Sequence, residues 1–181
     1  MNFDMRLEVR IKQAIRDIMD YPKPGIVFKD ITPVLSNPEL VKSIIETTVA
    51  HFSKMKVDAV VAIEARGFIF GGMLAQALHC PFVPVRKVGK LPYRTLSKVY
   101  DLEYGSATVE MHEDAIKRGW RVLIHDDLLA TGGTAAAAGH LVEQAGGTVA
   151  GFSFLVNLSF LPGERKLAGG FGLNPFYLVS Y

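Results

Sequence analysis

The sequence predicts an α/β protein with a central, mainly parallel sheet flanked by helices. Three observations carry this reading. Apolar runs of strand length alternate with segments of helical periodicity along the 181 residues, the order that builds parallel sheets with helices on both faces. The clearest run, Val122-Leu123-Ile124, meets two carboxylates and then the small-residue turn Thr131-Gly132-Gly133-Thr134, where open α/β sheets hold their ligands. A composition of 49% hydrophobic and 21% charged residues suits a packed domain over residues 1–181 and argues against a disordered chain.

Leu7, Ile11, Ile15 and Ile18 recur at helical spacing among charged residues and predict an amphipathic N-terminal helix. Pro22, Pro24 and Gly25 end it. Residues 26–35 mix apolar and charged groups without a period and read as irregular. Asn37 followed by Pro38 marks a helix start, and that helix runs to about His51 or Lys54.

Residues 57–63 predict the first buried strand, and 68–78 the small-residue helix after it. Residues 81–87 form a second strand, with Pro84 limiting its pairing. The polar stretch 87–104 shows no period and reads as a mobile lid. Strands follow at 106–111 and 121–124, a helix at 134–144 that Gly146-Gly147 ends, a long strand at 148–158 and a short one at 176–179.

Bulk properties exclude several classes. A net charge of +2 is too small to call for nucleic acid or a membrane surface. No apolar run nears the roughly 18 residues of a membrane helix. Residues 1–20 are charged throughout and lack a signal peptide's apolar core, so a cytoplasmic protein is expected. Cys80 is the single cysteine, which leaves no internal disulfide and no cysteine-based zinc site. His112, His125 and His140 stand at no characteristic metal spacing.

The chemistry concentrates between residues 122 and 134. Thr131 to Thr134 turn the chain into an alanine-rich helix, whose first N–H groups and hydroxyls make an anion cradle. Asp126 and Asp127, expected just past the strand, repel phosphate and suit sugar hydroxyls or a water-bridged Mg²⁺. The turn lacks the Gly-Lys-Ser/Thr ending of a Walker A loop, and no Gly-x-Gly-x-x-Gly occurs. Arg66 and Lys87 each follow a strand, and Arg66 can grip phosphate with two parallel hydrogen bonds.

At residues 122–134 the chain resembles the type I phosphoribosyltransferases. Three further segments narrow the resemblance to their adenine-specific branch: Tyr21-Pro-Lys-Pro-Gly-Ile-Val-Phe-Lys-Asp-Ile-Thr32, Glu64-Ala-Arg-Gly-Phe68, and Lys87-Val-Gly-Lys-Leu-Pro92 followed by Tyr100-Asp-Leu-Glu-Tyr-Gly105. The resemblance implies transfer of the phosphoribosyl group from 5-phosphoribosyl 1-diphosphate to adenine, giving AMP and diphosphate, with Mg²⁺ as cofactor. It sets Ala130, Thr131, Gly132, Gly133 and Thr134 on the 5′-phosphate, and Asp126 and Asp127 on the ribose hydroxyls or near the Mg²⁺. Arg66, Lys87 and Lys90 would neutralise the diphosphate. Val27, Phe28, Lys29 and Leu128 would hold the adenine. Glu103, with Arg66, would be catalytic, and no direct protein ligand to the metal is assigned.

The resemblance also implies a base-binding hood within residues 1–35, closure of the 87–104 lid, and a homodimer. Two departures stand out: Lys29 occupies a position that is often arginine, and Tyr93-Arg94 replaces a common Arg-Glu in the lid. Transferases of hypoxanthine, guanine or xanthine, and a donor-binding regulator without turnover, are the alternatives.

Overall fold

The computed structural model describes residues 5–101 and 105–181. They form two units that divide after Thr47.

In the first unit, α1 (Met5–Ala14) buries Leu7 and Ile11 on one face. The expected helix reaches Ile18, but α1 stops four residues earlier, and β1 (Arg16–Met19) pairs antiparallel with β2 (Val27–Asp30). Opposed residues of this ribbon carry opposite charges: Arg16–Asp30 at 2.6 Å and Asp17–Lys29 at 2.7 Å. Such cross-strand pairs, with the Tyr21 and Phe28 rings edge-to-face at 5.1 Å between centroids, favour the ladder over one more helical turn. So β2 and the short α2 (Thr32–Leu35) occupy the segment expected to be irregular. Asn37 caps α3 (Pro38–Phe52) as expected, its side-chain oxygen accepting the Leu40 N–H at 3.0 Å.

The second unit is a seven-stranded sheet with order β5-β6-β4-β3-β7-β8-β9. In chain order its strands are β3 (Ala59–Ile63), β4 (Phe82–Lys87), β5 (Thr95–Asp101), β6 (Ser106–His112), β7 (Arg121–Leu129), β8 (Thr148–Asn157) and β9 (Phe176–Ser180). The five strands from β4 to β9 pair in parallel; β6 and β5 extend that sheet antiparallel at one edge. All of β3 is buried, the continuous apolar signature of a central parallel strand.

Helices cover both faces. α4 (Gly67–Ala77) lies so close to β3 that a Cβ on Gly71 would meet the Ala62 Cβ at 2.5 Å. Val61 and Ile63 point the other way, into one core with the alanines of α5 (Gly133–Gln144). α6 (Gly163–Phe171) packs beside α5, where Phe171 fills the space above Gly139. Sequence periodicity did not predict α6, since Gly163, Gly169 and Gly170 make it a poor helix former.

Two expectations are corrected. β7 runs to Leu129, not Ile124, because β8 continues to pair with it as far as Leu129–Asn157. Asp126 and Asp127 therefore sit inside the strand's C-terminal half rather than beyond its end. Within the 87–104 stretch, residues 95–101 are the regular strand β5, in register with β6 over its whole length. Leu96 and Tyr100 face the core while Val99 faces solvent, and that outward valine hides the alternation from a sequence reading.

Candidate active site

Three strands of the parallel sheet end in the same region, each contributing a different kind of group. After β3, the turn Glu64-Ala65-Arg66 leads into α4 at Gly67. A Cβ on Gly67 would stand 2.8 Å from Asp126 Oδ1 and 3.2 Å from the His125 carbonyl, so glycine is what lets this turn lie against β7. The contact brings Arg66 Nε within 2.9 Å of Asp127 Oδ2. Asp127 is 4% exposed, and its N–H donates to Asp126 Oδ1 at 2.9 Å.

The acidic pair is electrostatically loaded. Burial above all, and then the Asp127 charge, push the Asp126 carboxyl well above the usual carboxylate range. Burial also pushes Asp127 up, with the Arg66 guanidinium pulling it back. Beside them His125 hydrogen-bonds Ser153 Oγ at 3.3 Å, and burial holds its imidazole down at about 3, so it stays neutral.

After β7 the chain forms the cradle. Gly132 is left-handed (φ 75°) at the start of α5, a conformation that favours glycine. A Cβ there would meet the Gly163 backbone at 3.1 Å, and one on Gly163 would meet the Ala130 carbonyl at 2.4 Å. The turn is thus clamped from behind by the start of α6. A cavity of about 80 Å³ is lined by Asp126, Leu128, Ala130, Thr131, Gly132, Gly133 and Thr134 among others. Strand, turn and helix start bring these seven predicted residues to one wall.

At the end of β4, Lys87 is exposed and donates its backbone N–H to Glu64 Oε2 at 3.2 Å. Lys90 reaches the same carboxylate, Nζ to Oε1 at 2.6 Å. Arg86 is the third cation there, 3.1 Å from Glu64 Oε1. The Arg86 hydrogen bond first, with Lys90 and the Lys87 N–H, holds the Glu64 carboxyl at about 2 despite burial.

Sequence reasoning missed Glu64, Arg86 and Glu110. A signal existed for Glu110, a charge between the apolar Val109 and Met111 of one strand; for Glu64 it was only adjacency to Arg66.

Of the residues expected to hold the base, Val27, half-buried Phe28 and Lys29 lie on β2 in the first unit, and half-buried Leu128 lies on β7 in the second. Lys29 is held by Asp17. Glu103 falls outside the described residues, as does Tyr104. Among the described residues, no group of three or more histidine, cysteine or acidic side chains could hold a metal ion by itself.

The family model described as the phosphoribosyl transferase domain matches residues 30–162. The chain is 51% identical over 162 residues to an adenine phosphoribosyltransferase of Cytophaga hutchinsonii, covering 90% of each chain. A crystal structure of adenine phosphoribosyltransferase from Rhodothermus marinus superposes with a TM-score of 0.93 at 52% identity, over 98% of this chain and 100% of that one. The Saccharomyces cerevisiae enzyme, crystallised with an imino-altritol bisphosphate and adenine, superposes with a TM-score of 0.88 at 40% identity, over 96% and 98%. A domain match over most of the sequence, and relatives alike along nearly its whole length, place the chain in the type I phosphoribosyltransferase family as a member of its adenine phosphoribosyltransferase branch.

Proposed function

We propose that the chain transfers the 5-phosphoribosyl group of 5-phosphoribosyl 1-diphosphate to N9 of adenine, forming AMP and diphosphate in purine salvage. The observation that carries the reading is the single cavity shared by Asp126, Leu128 and the 130–134 turn. It sets the Asp126 carboxylate beside an anion cradle, the polarity of a sugar phosphate.

The 5′-phosphate sits on the N–H groups and hydroxyls of 130–134, where the α5 dipole favours negative charge. The ribose hydroxyls donate to Asp126 and Asp127. Cleavage at C1 leaves positive charge on the ribose and adds negative charge to the departing diphosphate, which Arg66, Lys87 and Lys90 neutralise. Leu128 in the second unit holds the base; in the first unit Val27, Phe28 and Lys29 of β2 are the residues the resemblance assigns to adenine. N9 attacks from the face opposite the leaving group. Glu103 is the carboxylate set against the cationic ribose. The lid, 87–104, excludes water that would otherwise capture the ribose.

Mg²⁺ fits the residues present: Asp126 and Asp127 are adjacent carboxylates whose proton affinity burial raises, and the Arg66 guanidinium, 2.9 Å from Asp127 Oδ2, offsets that charge only in part. Asp126 and Asp127 would hold it through water, and when bound it neutralises diphosphate charge.

A homodimer is the expected assembly. It is supported by the exposed large apolar side chains of α4 and β4: Ile69, Met73 and Phe82 are each more than a third exposed. No described helix is long and apolar enough to cross a membrane. A cytoplasmic location follows from the donor, a charged phosphate ester that does not cross membranes unaided.

The purified protein should be mixed with Mg²⁺, the donor and each purine base in turn, with nucleotide and diphosphate followed together. Equal AMP and diphosphate with adenine alone is expected. Turnover with hypoxanthine, guanine or xanthine instead would overturn the base assignment, and donor binding without nucleotide would overturn the transferase reading.

A further inference from the structure

Residue 90 is held at every polar group it has. Its N–H donates to Glu110 Oε1 at 3.1 Å, its carbonyl accepts from Arg86 Nη1 at 3.0 Å, and its ammonium lies 2.6 Å from Glu64. Glu110 does more. The same oxygen accepts the Leu91 N–H at 3.0 Å, the Gly89 N–H turns toward the same carboxylate, and Oε2 reaches Thr95 Oγ1 at 3.4 Å.

Successive N–H groups converging on one point form an anion nest. Here a carboxylate of the chain itself fills the nest. Glu110 is 4% exposed, between Val109 and Met111 at the core. Burial works against its charge, but the N–H groups of Leu91, Gly89 and Lys90 outweigh that and keep the carboxyl below its ordinary value. An apolar side chain would pack at this position without such a cost, so packing alone gives no reason for a glutamate. Arg86, the ladder partner of Glu110, ties the loop to Glu64 from the other side.

We infer that Glu110, seconded by Arg86, is a positioning residue for the donor's diphosphate: it fixes the local conformation of the 89–91 backbone so that the Lys90 ammonium can swing from Glu64 to the leaving group without residues 89–91 rearranging among themselves, whatever the rest of the 87–104 lid does. This rests on the reading of Lys90 as a diphosphate ligand. The resting pair with Glu64 is one the site can release. Glu64 keeps Arg86 and the Lys87 N–H when Lys90 departs, so no bare carboxylate is left behind. A pinned backbone removes the cost of ordering a loop at the moment of binding.

The test is a double-mutant cycle on the intact chain, E110A and K90A alone and together, with KM measured for donor and for adenine separately. E110A should lower kcat/KM for the donor about tenfold while moving the adenine KM by less than about twofold. In the K90A background, E110A should add little. E110Q should restore most of the loss, because its amide oxygen still accepts N–H bonds. E110D, a methylene shorter, should not restore it, and it carries the test if E110A does not fold. Full additivity with K90A, parallel loss for donor and adenine, or an E110Q as weak as E110A would each overturn the inference. K90A without effect on the donor would instead remove the reading of Lys90, and with it the ground for this one.

Discussion

The cradle at 130–134 and the cationic loop at 87–91, which we assign to the two phosphate ends of one donor, are built on opposite plans. The cradle binds with backbone: its N–H groups belong to a helix start, and glycines at 132 and 163 let two turns touch. The loop binds with side chains. The Lys90 ammonium and the Arg86 guanidinium both rest on the Glu64 carboxylate. A phosphate that is bound and released unchanged suits a rigid site. A diphosphate that must depart with new charge suits cations that can move, because only an interaction stronger in the transition state speeds the chemical step.

The comparison can be broken most sharply at the cradle. Gly132→Val places a branched side chain at φ 75° with its Cβ 3.1 Å from the Gly163 backbone. We expect a loss of about 2–4 kcal/mol in urea unfolding, the sum of left-handed strain and steric overlap. The donor KM should rise at least about tenfold.

Between the two sites stands the acidic pair, where function and stability pull apart. Asp126→Asn keeps an oxygen for the Asp127 N–H but removes a charge that burial disfavours. Because the unfolded carboxyl ionises at its ordinary value while the folded one still holds its proton, stability is lost as pH rises from the ordinary to the raised value and the full cost is present above it. We therefore expect the variant to be more stable by about 1 kcal/mol at pH 8, with the gain shrinking as pH falls through the raised value. Transferase activity should drop at every pH. Melting curves from pH 5 to 9 would show it, and a constant gain would argue against a buried charge as the cause.

The smallest effect is expected at Glu64. Its carboxyl is held at about 2, against an ordinary 4.5, so it contributes stability that is complete above pH 4.5 and lost as pH falls toward 2. Glu64→Gln should cost about 1 kcal/mol at neutral pH and flatten the acid limb of the stability profile between those values. Denaturant titrations at pH 3, 4, 5 and 7 measure it.

How much of this could be read from the residues differs between the two sites for a physical reason. The cradle is local. A buried run, two acids and a Thr-Gly-Gly-Thr turn stand within thirteen residues, so motif and site coincide. The loop's network is not local: Glu64 to Lys90 and Glu110 to Lys90 span 26 and 20 positions, and only sheet order brings them together. The two strand errors have the same origin. β1 and the end of β7 exist because a partner strand continues beside them, while their own residues read as helix or as turn.

Taken alone, the sequence determined the parallel α/β class and the turn that starts α5 with its small-residue lining, because hydrophobic period, helix-start chemistry and glycine freedom act between near neighbours. The tertiary structure decided the rest: that Arg66 rests on Asp127, that Lys90 waits on Glu64, and that Glu110 holds the loop from the core. Those contacts depend on where distant strands pair, and strand pairing is settled by the whole sheet and not by any one segment.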